Sequence, residues 1–329
     1  MPIRLPILVT GGLGFLGSHL CTRLATAGET VRILARPERR AEAPDSPHEI
    51  VWGDVRDPAA VERAVRGTEV VIHLASNFRR AGSDAKEAYP INVEGTRNVA
   101  EACLRAGVRQ LIHCSTIGVH GSVVEVPARE ESALSPLDLY QETKLLAEDE
   151  VWRAHRRDGL PATVLRPASI YGPGDRRMLK LFRLIQKRRY VMLGDGKAFF
   201  HPAYVEDVAD AFVLALRNER ADGETFIVGG EEYVSLNEVV AMIAEELGVP
   251  PPRLRFPLAP IMALAALCER LCAPFGVEPP LHRRRVSFFW SRRAFSIEKA
   301  RQVLGFQPRF SLREGMRATI RWYRERGWL

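Results

Sequence analysis

Residues 7–17, ILVTGGLGFLG, constrain this chain more than any other segment. ILVTG (7–11) is a short apolar run that ends in glycine, and FLGSHLCTRLATAG (15–28) has a helical pattern that stops at Gly28. Between them, TGGLGFLG (10–17) spaces Gly11, Gly14 and Gly17 three apart. A glycine turn between a strand and a helix lets the backbone approach an anion closely. The helix start adds free N–H groups and a favourable dipole. A lone glycine motif is weak evidence, but its placement between strand and helix predicts a pyrophosphate held over Gly11, Gly14, Phe15, Leu16 and Gly17. The competing reading is a tight turn that binds nothing.

Strand and helix signals go on alternating. Strands are expected at 30–35, 50–54, 70–75, 108–115 and 162–170, with helices at 58–67, 91–107 and 138–158. Such alternation implies crossover connections and a parallel sheet, hence an α/β fold. After Pro173 helices dominate, at 176–188, 205–218, 235–247, 258–273, 296–304 and 311–326, with short strands at 190–193 and 226–230. The expected organisation is a nucleotide-binding domain over 1–173 and a smaller, mostly helical substrate-binding cap over 174–329, with 205–230 packing back on the first domain.

Composition removes several alternatives. With 46% hydrophobic and 26% charged residues, the 329-residue chain is of ordinary globular type. Its net charge of +7 is mostly dispersed arginine, and only Arg283-Arg284-Arg285 forms a run, so nucleic acid is not the expected partner. The five scattered cysteines have no metal-ligand spacing and suit a reducing cytoplasm. Met1–Arg4 leads straight into a strand, so no secretory leader is expected. The most apolar stretch, 257–275, is broken by Pro260, Glu269 and Arg270, which argues against a bilayer span and leaves a pocket wall, a dimer face or a peripheral membrane contact.

The end of the second strand bears on the cofactor. An acid there would accept from the ribose 2′-hydroxyl of NAD, whereas ILARPERR (33–40) has Ala35, then Arg36, with Arg39 and Arg40 beyond. A guanidinium can hold a 2′-phosphate in a fork of hydrogen bonds, so NADP(H) is favoured and NAD(H) is the alternative.

TGGLGFLG (10–17), GDVRD (53–57), HLAS (73–76), NVEGTRNV (92–99), HCSTIGVHG (113–121), YQETK (140–144), RPASIYGPGD (166–175) and YVEDVADA (204–211), in this order, resemble the extended short-chain dehydrogenases/reductases, the NAD-dependent epimerase/dehydratase superfamily. The likeness runs over nearly the whole chain and includes the tail at 296–327. It implies a Rossmann-type doubly wound parallel sheet and a catalytic set of Thr116, Tyr140 and Lys144, with Ser115 as a second hydroxyl. It further implies that Asp54 accepts from the adenine amino group beside Val55, and that Leu74 and Ala75 line the cofactor path. Asn92 would fix backbone near the fifth strand, and Pro167 and Ile170 would pack near the nicotinamide.

Physical chemistry supports the pair itself. Tyr140 and Lys144 are four apart on a helical segment and so share a face. A free phenol, with a pKa of about 10, is a poor base near neutrality, and an ammonium one turn away stabilises its phenolate. Lys144 could also hydrogen-bond the nicotinamide ribose, and Thr116 could hold the substrate oxygen.

Ser76, Asn77, Arg177 and His201 are the candidate substrate contacts; His73 and His113 read as core histidines, and His120 as one near the cleft. Sugar-nucleotide enzymes usually carry an Arg-Asp-aromatic run before the YVED-type segment, where this chain has Phe200 and His201. The favoured reading is therefore a secondary alcohol–ketone oxidoreductase of 3β-hydroxysteroid dehydrogenase-like or dihydroflavonol reductase-like type, acting on a lipophilic or cyclic small molecule. Sugar-nucleotide epimerisation or dehydration with tightly bound NAD is the alternative, and a non-enzymatic dinucleotide sensor the third. No metal is expected. The resemblance also implies a homodimer through helices 91–107 and 138–158.

Overall fold

The computed structural model describes residues 3–43, 45–78, 85–272, 279 and 286–329. The Arg283–Arg285 run and the end of the apolar stretch, 273–275, lie outside the described residues. The first half runs β1 (Ile7–Thr10), α1 (Phe15–Thr26), β2 (Val31–Ala35), β3 (Glu49–Trp52), α2 (Pro58–Val65), β4 (Val70–His73), α3 (Ala85–Tyr89), α4 (Gly95–Ala106), β5 (Gln110–Cys114), α5 (Leu139–Asp158) and β6 (Ala162–Pro167). The second half adds β7 (Ser169–Tyr171), α6 (Leu179–Gln186), β8 (Met192–Leu193), β9 (Phe199–Phe200), β10 (Pro202–Tyr204), α7 (Val205–Leu216), β11 (Thr225–Val228), β12 (Val234–Ser235), α8 (Leu236–Leu247), β13 (Arg255–Phe256), α9 (Leu258–Cys272) and α10 (Leu312–Glu325).

Seven parallel strands form one sheet in the order β11-β6-β5-β4-β1-β2-β3. The chain winds outward from β1 in two directions, so the strand order reverses between β1 and β4. In open sheets of this kind the ligand crevice lies at that point, beyond the carboxyl ends of the strands. Both faces of the sheet are covered, which is why the strands read as unbroken apolar runs. Leu8, Leu34, Val71, Leu111 and Val164 pack into one core with α2, α4 and α5. Ile7, Val9, Ile33, Ile72, Ile112 and Leu165 pack into another with α1 and α7.

Local chemistry sets the helix that carries the site. Asp138 caps α5 by accepting from the Gln141 N–H, and Gly159 ends it at φ +73°. The helix expected at 91–107 has a π-helical turn at Pro90–Glu94 and extends back through α3. Pro90 has no N–H to give to the regular ladder, which suits such a turn.

Three expected elements are corrected. The strand expected at 162–170 leaves the sheet after Pro167, and β7 pairs with β10 instead. The helix expected at 176–188 begins at Leu179, because the Asp175 carboxylate takes the Arg177 N–H and holds the turn open for three more residues. The strand expected at 190–193 is only Met192–Leu193. Beyond β7, α7 packs on α1, and β11 completes the sheet edge beside β6. A third apolar cluster, with Phe182, Ile243, Ile320 and Tyr323, unites α6, α8 and α10. Ser235 and Glu238 form a reciprocal capping box on α8. No helix among the described residues is long and apolar enough to cross a membrane.

Candidate active site at the carboxyl edge of the sheet

The glycine turn follows β1 at the reversal of strand order. Gly11 has φ +72°, and a Cβ there would lie 2.9 Å from the Ala75 backbone nitrogen. A Cβ on Gly17 would lie 2.2 Å from the Gly11 carbonyl oxygen. Gly14 caps α1 without a side-chain hydrogen bond, whereas α2, α5, α8 and α10 each have a side-chain cap. The first helical hydrogen bond closes from the Ser18 N–H to Gly14, leaving the Phe15, Leu16 and Gly17 N–H groups without an acceptor among the described residues. Unclaimed donors over a cradle that admits no Cβ fit a pyrophosphate.

The flanks of this cradle are also defined. Arg39 donates to the Leu13 carbonyl at 2.8 Å and pairs with Glu42, so it braces the turn. The Arg36 guanidinium has no hydrogen-bond or ion-pair partner among the described residues. Asp54 accepts from the Arg56 backbone N–H and guanidinium at 2.8–2.9 Å, and Val55 is buried against Gly95.

A buried polar chain connects β1, β4 and α4. Thr96 gives its hydroxyl proton to the Asn92 carbonyl at 2.6 Å, so at 3.0 Å it must accept from His73 Nε2–H. His73 Nδ1 is then bare and accepts from the Thr10 hydroxyl at 2.7 Å. Thr10 in turn accepts from the Ala75 N–H, which ties the β4 loop to the strand that precedes the glycine turn. Burial holds His73 neutral, its pKa pushed down to about 3.

At the next strand His113, 0% exposed, stands 5.3 Å from His73 ring to ring. Its Nε2 lies 3.0 Å from Lys144 Nζ. Lys144 is 2% exposed, and burial pulls its pKa down to about 8, against the raising field of Glu148. Tyr140 lies one turn earlier on α5, half-buried and edge-on to Phe78 with ring centres 4.8 Å apart. Thr116 follows β5, accepts from the Gly118 N–H at 3.0 Å and keeps its own proton for another partner. Ser115 and Ser76 hydroxyls are buried without a partner among the described residues.

A salt bridge anchors the helix one turn beyond Lys144. Arg166 and Glu148, 5% and 2% exposed, pair at 2.6 and 3.0 Å in a two-bonded fork. The remaining Arg166 nitrogen reaches His120 and the Glu130 carbonyl. On the other flank Asn92 accepts from the Asn77 N–H at 2.7 Å and donates to Thr143 on α5 at 2.9 Å. Asn92 thus ties the loop after the fourth strand to α5. Arg177 spans the crevice mouth. It holds the Ile170 carbonyl and Asp175, and lies 5.3 Å from the Phe15 ring and 5.2 Å from that of Phe78.

Two expected cleft histidines are placed elsewhere. His201 is 1% exposed, donates to the Gly230 carbonyl and stacks on Phe295, so its ring belongs to the core beneath β10 and not to a surface that substrate reaches. His120 is likewise 1% exposed and serves Arg166. Pro167 is buried in the sheet, Leu74 and Ala75 are half-buried at the crevice, and Ile170 is half-buried beside Arg177. Sequence reasoning missed the His113–Lys144 contact, the Glu148–Arg166 pair and Phe78. The one available signal was the i, i+4 spacing of Lys144 and Glu148, which shows that both face inward if either does. Among the described residues no group of three His, Cys, Asp or Glu side chains could hold a metal ion.

The sequence pattern described as the NAD dependent epimerase/dehydratase family matches residues 7–229. The chain is 31% identical to the 3beta-hydroxysteroid-dehydrogenase/decarboxylase isoform 2 of Arabidopsis thaliana over 95% of its own length and 61% of that protein's. It is also 31% identical to a sterol-4-alpha-carboxylate 3-dehydrogenase, decarboxylating, of Schizosaccharomyces pombe, across 98% of both chains. Among solved structures it resembles MoeE5 in complex with UDP-glucuronic acid and NAD, with TM-score 0.77 and 28% identity over 98% of this chain and 99% of the other.

Proposed function

The chain belongs to the NAD-dependent epimerase/dehydratase family, and from that premise we propose that it interconverts a secondary alcohol and a ketone on a lipophilic, steroid-like substrate. The observation that carries this reading is Lys144. It is a buried lysine at the carboxyl end of β5, one turn from Tyr140 and connected through His113 and His73 to Thr10, which precedes a glycine turn with unclaimed N–H groups.

The cofactor, when bound, accepts or supplies the hydride. Gly11, Gly14, Phe15, Leu16 and Gly17 would hold its pyrophosphate, Asp54 and Val55 its adenine, and Leu74, Ala75, Asn92, Ser115, Pro167 and Ile170 the path to its nicotinamide end. Tyr140 takes the hydroxyl proton of the alcohol on oxidation and returns it on reduction. The Lys144 ammonium lowers the cost of the phenolate, and the free Thr116 proton is donated to the substrate oxygen. Ser76, Asn77 and Arg177 border the mouth.

The steroid-like reading is preferred over the sugar-nucleotide one on a specific contact. Phe200 stands where an arginine would grip a nucleotide diphosphate and His201 where its neighbouring aspartate would be, and both are buried, at 5% and 1% exposed. A 3β-hydroxysteroid supplied with NADP+ or NAD+ is expected to raise the reduced-nicotinamide absorbance. Conversion of a UDP-sugar with no net redox change would establish the alternative instead.

NADP(H) is the preferred cofactor in this proposal, because Ala35 leaves no acid for a 2′-hydroxyl and the Arg36 guanidinium is unclaimed. An Arg36→Ala substitution should weaken NADP+ binding about 10–100-fold, the cost of losing a hydrogen bond to a charged group, and leave NAD+ nearly unchanged. Calorimetric titration of both dinucleotides checks this. The remaining parts of the proposal are a cytoplasmic homodimer and a peripheral membrane contact. Leu264, Leu267 and Leu271 form an outward stripe on α9, each more than half exposed, that suits an apolar surface.

A further inference from the structure

We infer that His113 is a positioning residue for the Tyr140–Lys144 pair, holding the Lys144 amine charged and aimed through its Nε2 lone pair. This rests on the function proposed above. Lys144 Nζ lies 3.0 Å from His113 Nε2, and both groups are shut away from solvent. An ammonium has only donors, so the ring nitrogen facing it must be bare. The proton then sits on Nδ1, a buried atom with no partner among the described residues. A ring proton left unsatisfied in the interior is costly, and its cost is compensated here only by the contact on the other side. His113 cannot take up a second proton to escape, since burial and the facing Lys144 drive its pKa well below the ordinary value. The ring is therefore a permanent neutral acceptor.

Its orientation is also constrained. His113 stands against His73, whose own tautomer is fixed by Thr96 and Thr10. The amine of Lys144 is thus tied through two imidazoles to the strand that begins the glycine turn. One of its three N–H groups is spent on His113, and two remain for Tyr140 and the cofactor. The titratable groups that face Lys144 are Cys114 and His113 from β5, Glu148 from its own helix and His73 from β4. The Cys114 thiol is pushed up to about 11 and stays neutral near pH 8, so it does not replace the acceptor.

Removing the acceptor has a definite sign. A hydrogen bond to the charged form favours that form, so its loss lowers the Lys144 pKa, by about one unit or more. The test is dinucleotide binding against pH, followed by quenching of protein fluorescence with NADH and with NADPH, which needs no substrate. In the parent, binding should weaken on the alkaline side with a midpoint near the Lys144 value of about 8. In His113→Phe that midpoint should fall by at least about one unit, while His113→Gln, which retains an acceptor, should stay close to the parent. If His113→Phe does not fold, the same midpoint is read from His113→Leu and His113→Gln against the parent. A His113→Phe or His113→Leu profile that keeps the parental midpoint, with only the melting temperature changed, overturns the inference and leaves the proposed function standing. A parent protein that binds neither dinucleotide ends both.

Discussion

A Tyr140→Phe protein is expected to fold, to bind dinucleotide as the parent does, and to lose about 10²–10⁴ of kcat, the usual contribution of a positioned acid–base group. The substitution removes one oxygen. The ring keeps its half-buried place on α5 and its edge contact with Phe78. Lys144 keeps its bond to His113, and the glycine turn is untouched. The loss should therefore fall on kcat, with the dissociation constants for dinucleotide unchanged within about threefold. Activity of the parent should also decline as pH rises past about 8, where the Lys144 amine loses its proton and the phenolate loses its neighbouring charge. Steady-state kinetics across pH, with dinucleotide titration of the same preparations, provides the check. Retention of parental kcat by Tyr140→Phe would remove the proposed chemistry altogether.

Glu148→Ala is expected to cost about 3–5 kcal/mol of stability, because it leaves the Arg166 charge buried and unpaired. Arg166 is 5% exposed, so water does not reach it to replace the carboxylate. Urea denaturation would show the loss as a lower midpoint at an unchanged slope. The double variant Glu148→Met with Arg166→Met should recover only part of the loss, since an apolar pair of similar volume carries no charge-desolvation penalty. Recovery should stop short of the parent. His120 Nε2 and the Glu130 carbonyl both accept from Arg166 and would be left without a donor, at about 1–3 kcal/mol for each such buried group. Recovery of stability without recovery of kcat would show that the fork also sets the register of α5, which carries Tyr140 and Lys144. Equal loss in the single and double variants would show instead that the acceptors orphaned at His120 and Glu130 cost as much as the unpaired Arg166 charge.

The elements that could be read from sequence are those whose cause is local. Gly11, Gly14 and Gly17 mark the turn because only a residue without Cβ passes so close to Ala75 and to the turn's own carbonyls. Apolar runs such as ILVT and VVIH mark strands buried on both faces, and Gly107 and Gly159 mark helix ends through their left-handed conformation. Where reading failed, a local signal met a distant competitor. ATVLRPASI reads as one strand, yet the chain departs after Pro167 because β7 finds β10. His201 reads as a cleft residue by its position before YVED, yet Gly230 and Phe295 enclose it.

The sequence by itself determined the parallel sheet, the glycine turn and the tyrosine–lysine spacing, because each follows from backbone sterics or from periodicity over a few neighbouring residues. Only the tertiary structure decided which buried groups satisfy one another. Lys144 meets His113 and Glu148 meets Arg166 across 31 and 18 positions of chain. Such pairs are selected by the cost of leaving charge unpaired in a dry interior, and that cost exists only once the interior has formed.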